Sequence, residues 1–145
     1  MTTFLLDINV LIALIDPMHV QHDTAHAWFQ GKKSWATCAL TENGVLRIIG
    51  HPRYPNSPGN PAEIAQIMEK LCLLPEHQFW PDNISLLNNP NIKTDSLLNS
   101  SQITDSYLLA LASAHKGQLA TFDQRLVTTA VQQGKKSLHL IKATK

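Results

Sequence analysis

The sequence predicts an α/β fold, a three-layer α/β/α sandwich around a central, mainly parallel sheet. Two observations lead there. Short apolar runs alternate with amphipathic stretches, and each connection exceeds roughly a dozen residues, which parallel pairing demands because each crossover is covered by a helix. The second is the run Phe4-Leu5-Leu6-Asp7-Ile8-Asn9-Val10-Leu11-Ile12, whose branched apolar residues read as a strand buried on both faces. One aspartate interrupts it. An apolar strand gives no reason for a charge, and burying one without a partner is costly, so Asp7 is expected at the carboxyl end of the strand, facing a crevice.

The remaining elements follow from local signals. Asn9 can cap a helix through Val10, Leu11, Ala13 and Leu14, which Asp16-Pro17 stops because proline disfavours the helical region for the residue before it. A second helix runs from His19 to Phe29 and closes at Gly31. Ser34 to Cys38 is strand-like, and Ala39-Leu40-Thr41 leads into a helix whose apolar face is Val45, Leu46, Ile48 and Ile49. The proline-rich stretch from His51 to Pro61 is a surface excursion. Pro61 then opens a helix that Leu74-Pro75 ends. His77 to Trp80 is a third strand, and Asp82-Asn83 caps a short helical piece at Ile84, Leu86 and Leu87, followed by turn residues from Asn88 to Lys93. Ser101 to Asp105 precedes the strongest helical pattern, Tyr107, Leu108, Ala110, Leu111 and Ala114, ended by Gly117. Leu119 to Phe122 is a strand, Leu126, Val127 and Ala130 line a further helix, and Ser137 to Ile141 is the last strand.

Length and composition narrow the classes. A chain of 145 residues suits a single domain over 1–145, burying roughly two-thirds of the surface its unfolded form exposes. With 43% apolar and 16% charged residues, disorder is excluded. The formal net charge of +1 gives no bulk attraction to nucleic acid, so any such binding rests on local groups and metal ions. Cys38 and Cys72 lie far apart with no metal-ligand spacing, which fits a reducing, cytoplasmic setting, and no signal-like or membrane-length apolar segment is present.

Four acids fall at one kind of junction. Asp7 ends the first strand, Glu42 follows the second near a helix start, Asp105 opens the strongest helix, and Asp123 follows the fourth strand. One crevice at the carboxyl edge of a parallel sheet could hold them all. Converging carboxylates repel one another and raise each other's pKa values unless a cation sits among them, and a hard oxygen-seeking ion, Mg²⁺ or Mn²⁺, is the natural occupant. Such an ion activates water toward phosphodiesters. Read one at a time, Glu42, Asp105 and Asp123 are equally suited to capping helices or turns. Asn9, two residues after Asp7, can orient that carboxylate or cap the helix, and Arg47 and Arg125 can meet phosphate oxygens or remain solvated.

Four blocks in order resemble the signature segments of PIN domains, in particular toxin ribonucleases of the VapC type. They are Leu5-Leu6-Asp7-Ile8-Asn9-Val10-Leu11-Ile12, Trp35-Ala36-Thr37-Cys38 running into Thr41-Glu42-Asn43-Gly44-Val45-Leu46-Arg47, Ile103-Thr104-Asp105-Ser106-Tyr107-Leu108-Leu109-Ala110, and Ala120-Thr121-Phe122-Asp123. The resemblance implies a PIN-like fold. It also implies that the acids matching Asp7, Glu42, Asp105 and Asp123 are catalytic, with Asp7 and Asp105 on Mg²⁺, and that Thr121 supports the site. RNA is then the substrate, a cognate antitoxin the inhibitor, and a homodimer the assembly.

Other features carry blander readings beside functional ones. His19, His22 and His26 share one helical face, as zinc ligands or as a polar surface. Trp28, Trp35 and Trp80 could stack bases or fill a core, and Lys32-Lys33 and Lys135-Lys136 could track RNA or simply be exposed. Two other classes stay open from the residues alone. A phosphotransferase of the haloacid-dehalogenase type also begins with strand-Asp but wants an acid where Asn9 stands; a non-catalytic metal-dependent binding module would use the acids as a switch.

Overall fold

The computed structural model describes residues 2–31 and 33–143; Lys32 lies outside them, so the reading of that lysine pair concerns Lys33 alone. The strands are β1 (Thr3–Leu6), β2 (Ser34–Cys38), β3 (His77–Trp80), β4 (Gln118–Thr121) and β5 (Leu138–Leu140). The helices are α1 (Ile8–Ile15), α2 (His22–Phe29), α3 (Ala39–Ile49), α4 (Pro61–Cys72) and α5 (Ile103–Ala114). The strands form one sheet in the order β3-β2-β1-β4-β5, and every neighbouring pair is parallel. This matches the predicted α/β sandwich.

Alternation along the strands sorts the core into two sides. Leu6, Trp35 and Ala120 pack with Val10, Leu11, Val45, Ile49, Ile64 and Met68 of α1, α3 and α4. Leu5, Ala36, Cys38 and Leu119 pack with Leu108, Leu109 and Leu111 of α5. As central strand, β1 has no solvent face, and Leu5 and Leu6 are fully buried. Leu6→Ala is expected to cost about 2–5 kcal/mol through lost burial and an incompletely collapsed cavity, read by urea unfolding. A loss under ~1 kcal/mol would contradict the packing described.

Several local expectations are corrected. The α1 cap is Asp7, not Asn9: Asp7 accepts a hydrogen bond from the Ile8 amide at 2.8 Å, while Asn9 lies within the first turn. The second helix starts at His22 because the chain before it is tied into turns, Met18 N–H to Asp16 Oδ1 at 2.9 Å and Gln21 N–H to His19 Nδ1 at 3.0 Å. No helix forms at Ile84 to Leu87, where Ser85 Oγ and Asn89 Oδ1 accept bonds from amides two residues on and compete with helical pairing.

The helix expected at Leu126 to Ala130 is also absent. Arg125 N–H donates to Asp123 Oδ1 at 2.9 Å, closing a turn, and Val131 instead bridges antiparallel to Ile92. Lys93 N–H donates to Ala130 at 2.8 Å in support. The β-branched run Val127-Thr128-Thr129 is poorly suited to a helix, and Ala130 and Val131 reach the core by the bridge. The proline-rich excursion is anchored, with Tyr54 Oη donating to buried Asp16 at 2.6 Å and Ser57 Oγ to the Ile49 carbonyl at 2.6 Å. Asn60 and Glu63 then cap α4 reciprocally, each bond 2.9 Å.

Candidate active site

Asp7 leaves β1 still in register, its amide donating to the Ala120 carbonyl of β4 at 2.9 Å. Its backbone is extended, and the side chain turns back over the start of α1 with only 6% of its surface exposed. Burial pushes its pKa up, the hydrogen bonds from Thr121 and the Ile8 amide resist this, and the charge of Asp123 adds to the rise.

Thr121, the last residue of β4, is the hub of the site. Its hydroxyl donates to Asp7 Oδ2 at 2.8 Å and accepts from the Asn9 side-chain amide at 3.1 Å and the Asp123 backbone amide at 3.1 Å. Asn9 Oδ1 in turn accepts from the Phe122 amide at 3.3 Å. Asn9 thus acts on Asp7 through Thr121 rather than directly. Thr121→Val keeps the shape but removes a donor from Asp7 and an acceptor from two half-buried N–H groups. It is expected to weaken activity or divalent-ion affinity roughly 10–100-fold, measured by metal titration of the folded variant.

Asp105 stands in the first turn of α5, half-buried. Burial first, then the charges of Asp7 and Asp123, raise its pKa to about 6. Asp123 follows β4 with its amide on Thr121 and one oxygen on the Arg125 amide. Three elements therefore bring Asp7, Asp105 and Asp123 near enough for their charges to oppose one another, and no cation is among the groups acting on Asp7 or Asp105. This donor set fits a divalent ion. Mg²⁺ keeps several waters and takes only one or two carboxylates directly, so a site of this kind does not require all three to ligate it.

Glu42 is not brought to this group. Its carboxylate accepts from the Thr37 hydroxyl at 2.6 Å, and the same hydroxyl meets His77 Nε2 at 2.8 Å. On β2, Trp35 faces α1 to α4 while Ala36 and Cys38 face α5, so by strand alternation Thr37 lies on the Trp35 side. On β4, Thr121 lies by the same rule on the side of Leu119 and α5. Glu42 and Asp7 are thus held by threonines on opposite faces of the sheet. Period-2 alternation in the sequence could have separated them, but no local signal joined Cys72 and His77 to Glu42.

The other candidates are placed as follows. Arg47 and Arg125 are exposed. His22 Nδ1 and His26 Nε2 meet the carbonyls of Ala13 and Leu14 at 2.7 and 2.8 Å, satisfying the last turn of α1 rather than converging on an ion. Trp35 and Trp80 are buried, Trp80 stacking on His115 at 4.1 Å, and Trp28 donates to His139 Nε2 at 3.0 Å.

With this geometry in view, comparison with known proteins is decisive: residues 4–132 match the PIN domain. The chain belongs to the PIN-domain family. It is 45% identical over 129 residues to Ribonuclease VapC44 of Mycobacterium tuberculosis, covering 88% of this chain and 90% of that protein. Ribonuclease VapC39 of the same organism is 38% identical over 130 residues, covering 88% and 94%, and Ribonuclease VapC38 is 32% identical over 139 residues, covering 94% and 96%. In this PIN domain the matched span takes in β1 to β4 and all three aspartates. Among its described residues no helix is long and apolar enough to cross a membrane.

Proposed function

We propose that this PIN domain is a Mg²⁺-dependent endoribonuclease, the toxin of a toxin–antitoxin pair. The observation that carries the reading is the gathering of Asp7, Asp105 and Asp123 at the carboxyl ends of β1 and β4 and the start of α5, with their mutual repulsion uncompensated. Asp7 and Asp105 hold the ion, with Mn²⁺ as a substitute. An ion held there would supply polarisation of a phosphodiester and a more acidic bound water. Thr121 and the Ile8 amide keep Asp7 aimed at that ion, and Asn9 keeps Thr121 oriented. Asp123, anchored through its backbone to Thr121, orients the attacking water and takes up its proton. Arg125, two residues beyond Asp123, contacts a phosphate that flanks the scissile bond, and Arg47, exposed in the last turn of α3, contacts RNA phosphates further from it. Glu42, engaged with Thr37, stays outside the ion's shell.

The likeness to the VapC ribonucleases supports RNA as the substrate, and the same proposal takes a cognate antitoxin as inhibitor and a homodimer in the cytoplasm as the working form. Asn9 bonds to Thr121 and supplies no second acid, which counts against a phosphotransferase. The test is cleavage of RNA by the protein purified away from its antitoxin, with Mg²⁺ and then with a chelator. Cleavage that survives the chelator, or equal cleavage by Asp7→Asn, overturns the reading.

A further inference from the structure

Away from the aspartates, three ligand-bearing side chains from three elements converge. Glu42 lies in the first turn of α3, Cys72 ends α4 and His77 begins β3, and one ligand atom from each lies within 4.8 Å of the others. All three are half-buried. We propose that Glu42, Cys72 and His77 form a second metal site, for a thiophilic divalent ion of the zinc class, with water in the fourth position. The proposal stands on this cluster alone and does not depend on the nuclease reading.

The donor set selects the ion. A thiolate, an imidazole and a carboxylate together suit Zn²⁺, whereas Mg²⁺ takes oxygen ligands alone. A tetrahedral zinc with bonds of about 2.0–2.3 Å sets its ligands roughly 3.3–3.8 Å apart, so from within 4.8 Å the side chains need close by no more than about 1.5 Å. A groove of about 310 Å³, lined by Glu42, Cys72, Leu46, Ala65, Met68 and Glu69, gives the ion a path from solvent and room for its water.

The hydrogen bonds around the cluster resemble the outer support of a metal site. Thr37 has one hydroxyl proton and donates it to Glu42, so His77 Nε2–H donates to Thr37. The Cys72 carbonyl also meets the imidazole and favours a proton on it. Moving the single proton to Nδ1 frees Nε2 for an ion, and a hydrogen bond made by the other ring nitrogen is what orients ligating histidines generally. Burial keeps the His77 imidazole neutral at neutral pH. Burial and the Glu42 charge keep the Cys72 thiol protonated, so binding forms three coordinate bonds while the thiol proton leaves to solvent. The ion would pin edge strand β3 to α3 and α4.

Co²⁺ is the probe, because thiolate ligation gives a near-ultraviolet charge-transfer band that oxygen ligands do not. The full chain, stripped with a chelator, is expected to develop this band to saturation at one equivalent bound through sulfur, and Zn²⁺ is expected to bleach it by displacement. Cys72→Ala and His77→Gln should each remove it or weaken binding at least about tenfold. Cys38→Ala should retain it, and so should Asp7→Asn even where that variant no longer cleaves RNA. Absence of the band in the unaltered protein, which needs no variant to fold, overturns the proposal. So does a band that survives Cys72→Ala.

Discussion

Asp7→Asn is expected to abolish Mg²⁺-dependent RNA cleavage, lowering the rate about a thousandfold or more, equivalent to about 4 kcal/mol of lost transition-state stabilisation. Asparagine keeps a side-chain oxygen for the Ile8 amide, so the cap of α1 survives and the loss reports on charge rather than on folding. Circular dichroism melting of the variant checks that point. Glu42→Gln makes the informative contrast. Its carboxylate is bonded to Thr37 on the other face of the sheet, so its cleavage is expected to fall by no more than about tenfold. Equal, severe losses in both variants would return Glu42 to the catalytic group.

Asp105→Asn is expected to stabilise the metal-free protein at neutral pH while removing its activity. The Asp105 carboxyl is raised to about 6 in the folded protein, chiefly by burial and then by Asp7 and Asp123, against an unfolded value near 3.9. The folded state therefore binds the proton more tightly. Stability from this group is present below about pH 4 and is lost as pH rises to about 6, beyond which it stays flat. Because Asp105 is half exposed, solvent screening cuts the penalty at pH 7 to about 1 kcal/mol, a few degrees in Tm. With chelator present, the variant should melt above the unaltered protein at pH 7 and level with it near pH 4. Added Mg²⁺ should raise Tm of the unaltered protein more than that of the variant, because an ion that binds only the folded form stabilises it by mass action. Superimposable pH profiles would mean that Asp105 carries no such strain.

Where reading failed, it failed on competition among local bonds and on distance in the chain. The Leu126 to Ala130 segment has helical spacing, yet Asp123 closes a turn on the Arg125 amide and the β-branched residues favour the bridge to Ile92. Asn9 looks like a cap, but Asp7 takes the first amide of α1 and leaves Asn9 free to reach β4. The three histidines share a helical face in sequence, and only packing showed that two of them close the end of α1.

The sequence by itself determined the five parallel strands, the crossover helices from β1 as far as β4 and the junctions at which Asp7, Asp105 and Asp123 stand, because period, capping and apolar runs are local and parallel pairing leaves few topologies. Tertiary structure decided which acids share a space. Asp7 and Thr121 are 114 residues apart and meet through the pairing of β1 with β4, whereas Glu42 is drawn to Thr37 by alternation on β2. The face on which a side chain emerges depends on strand register and on the neighbour that accepts its hydrogen bond, and neither is written in the spacing of acids along a chain.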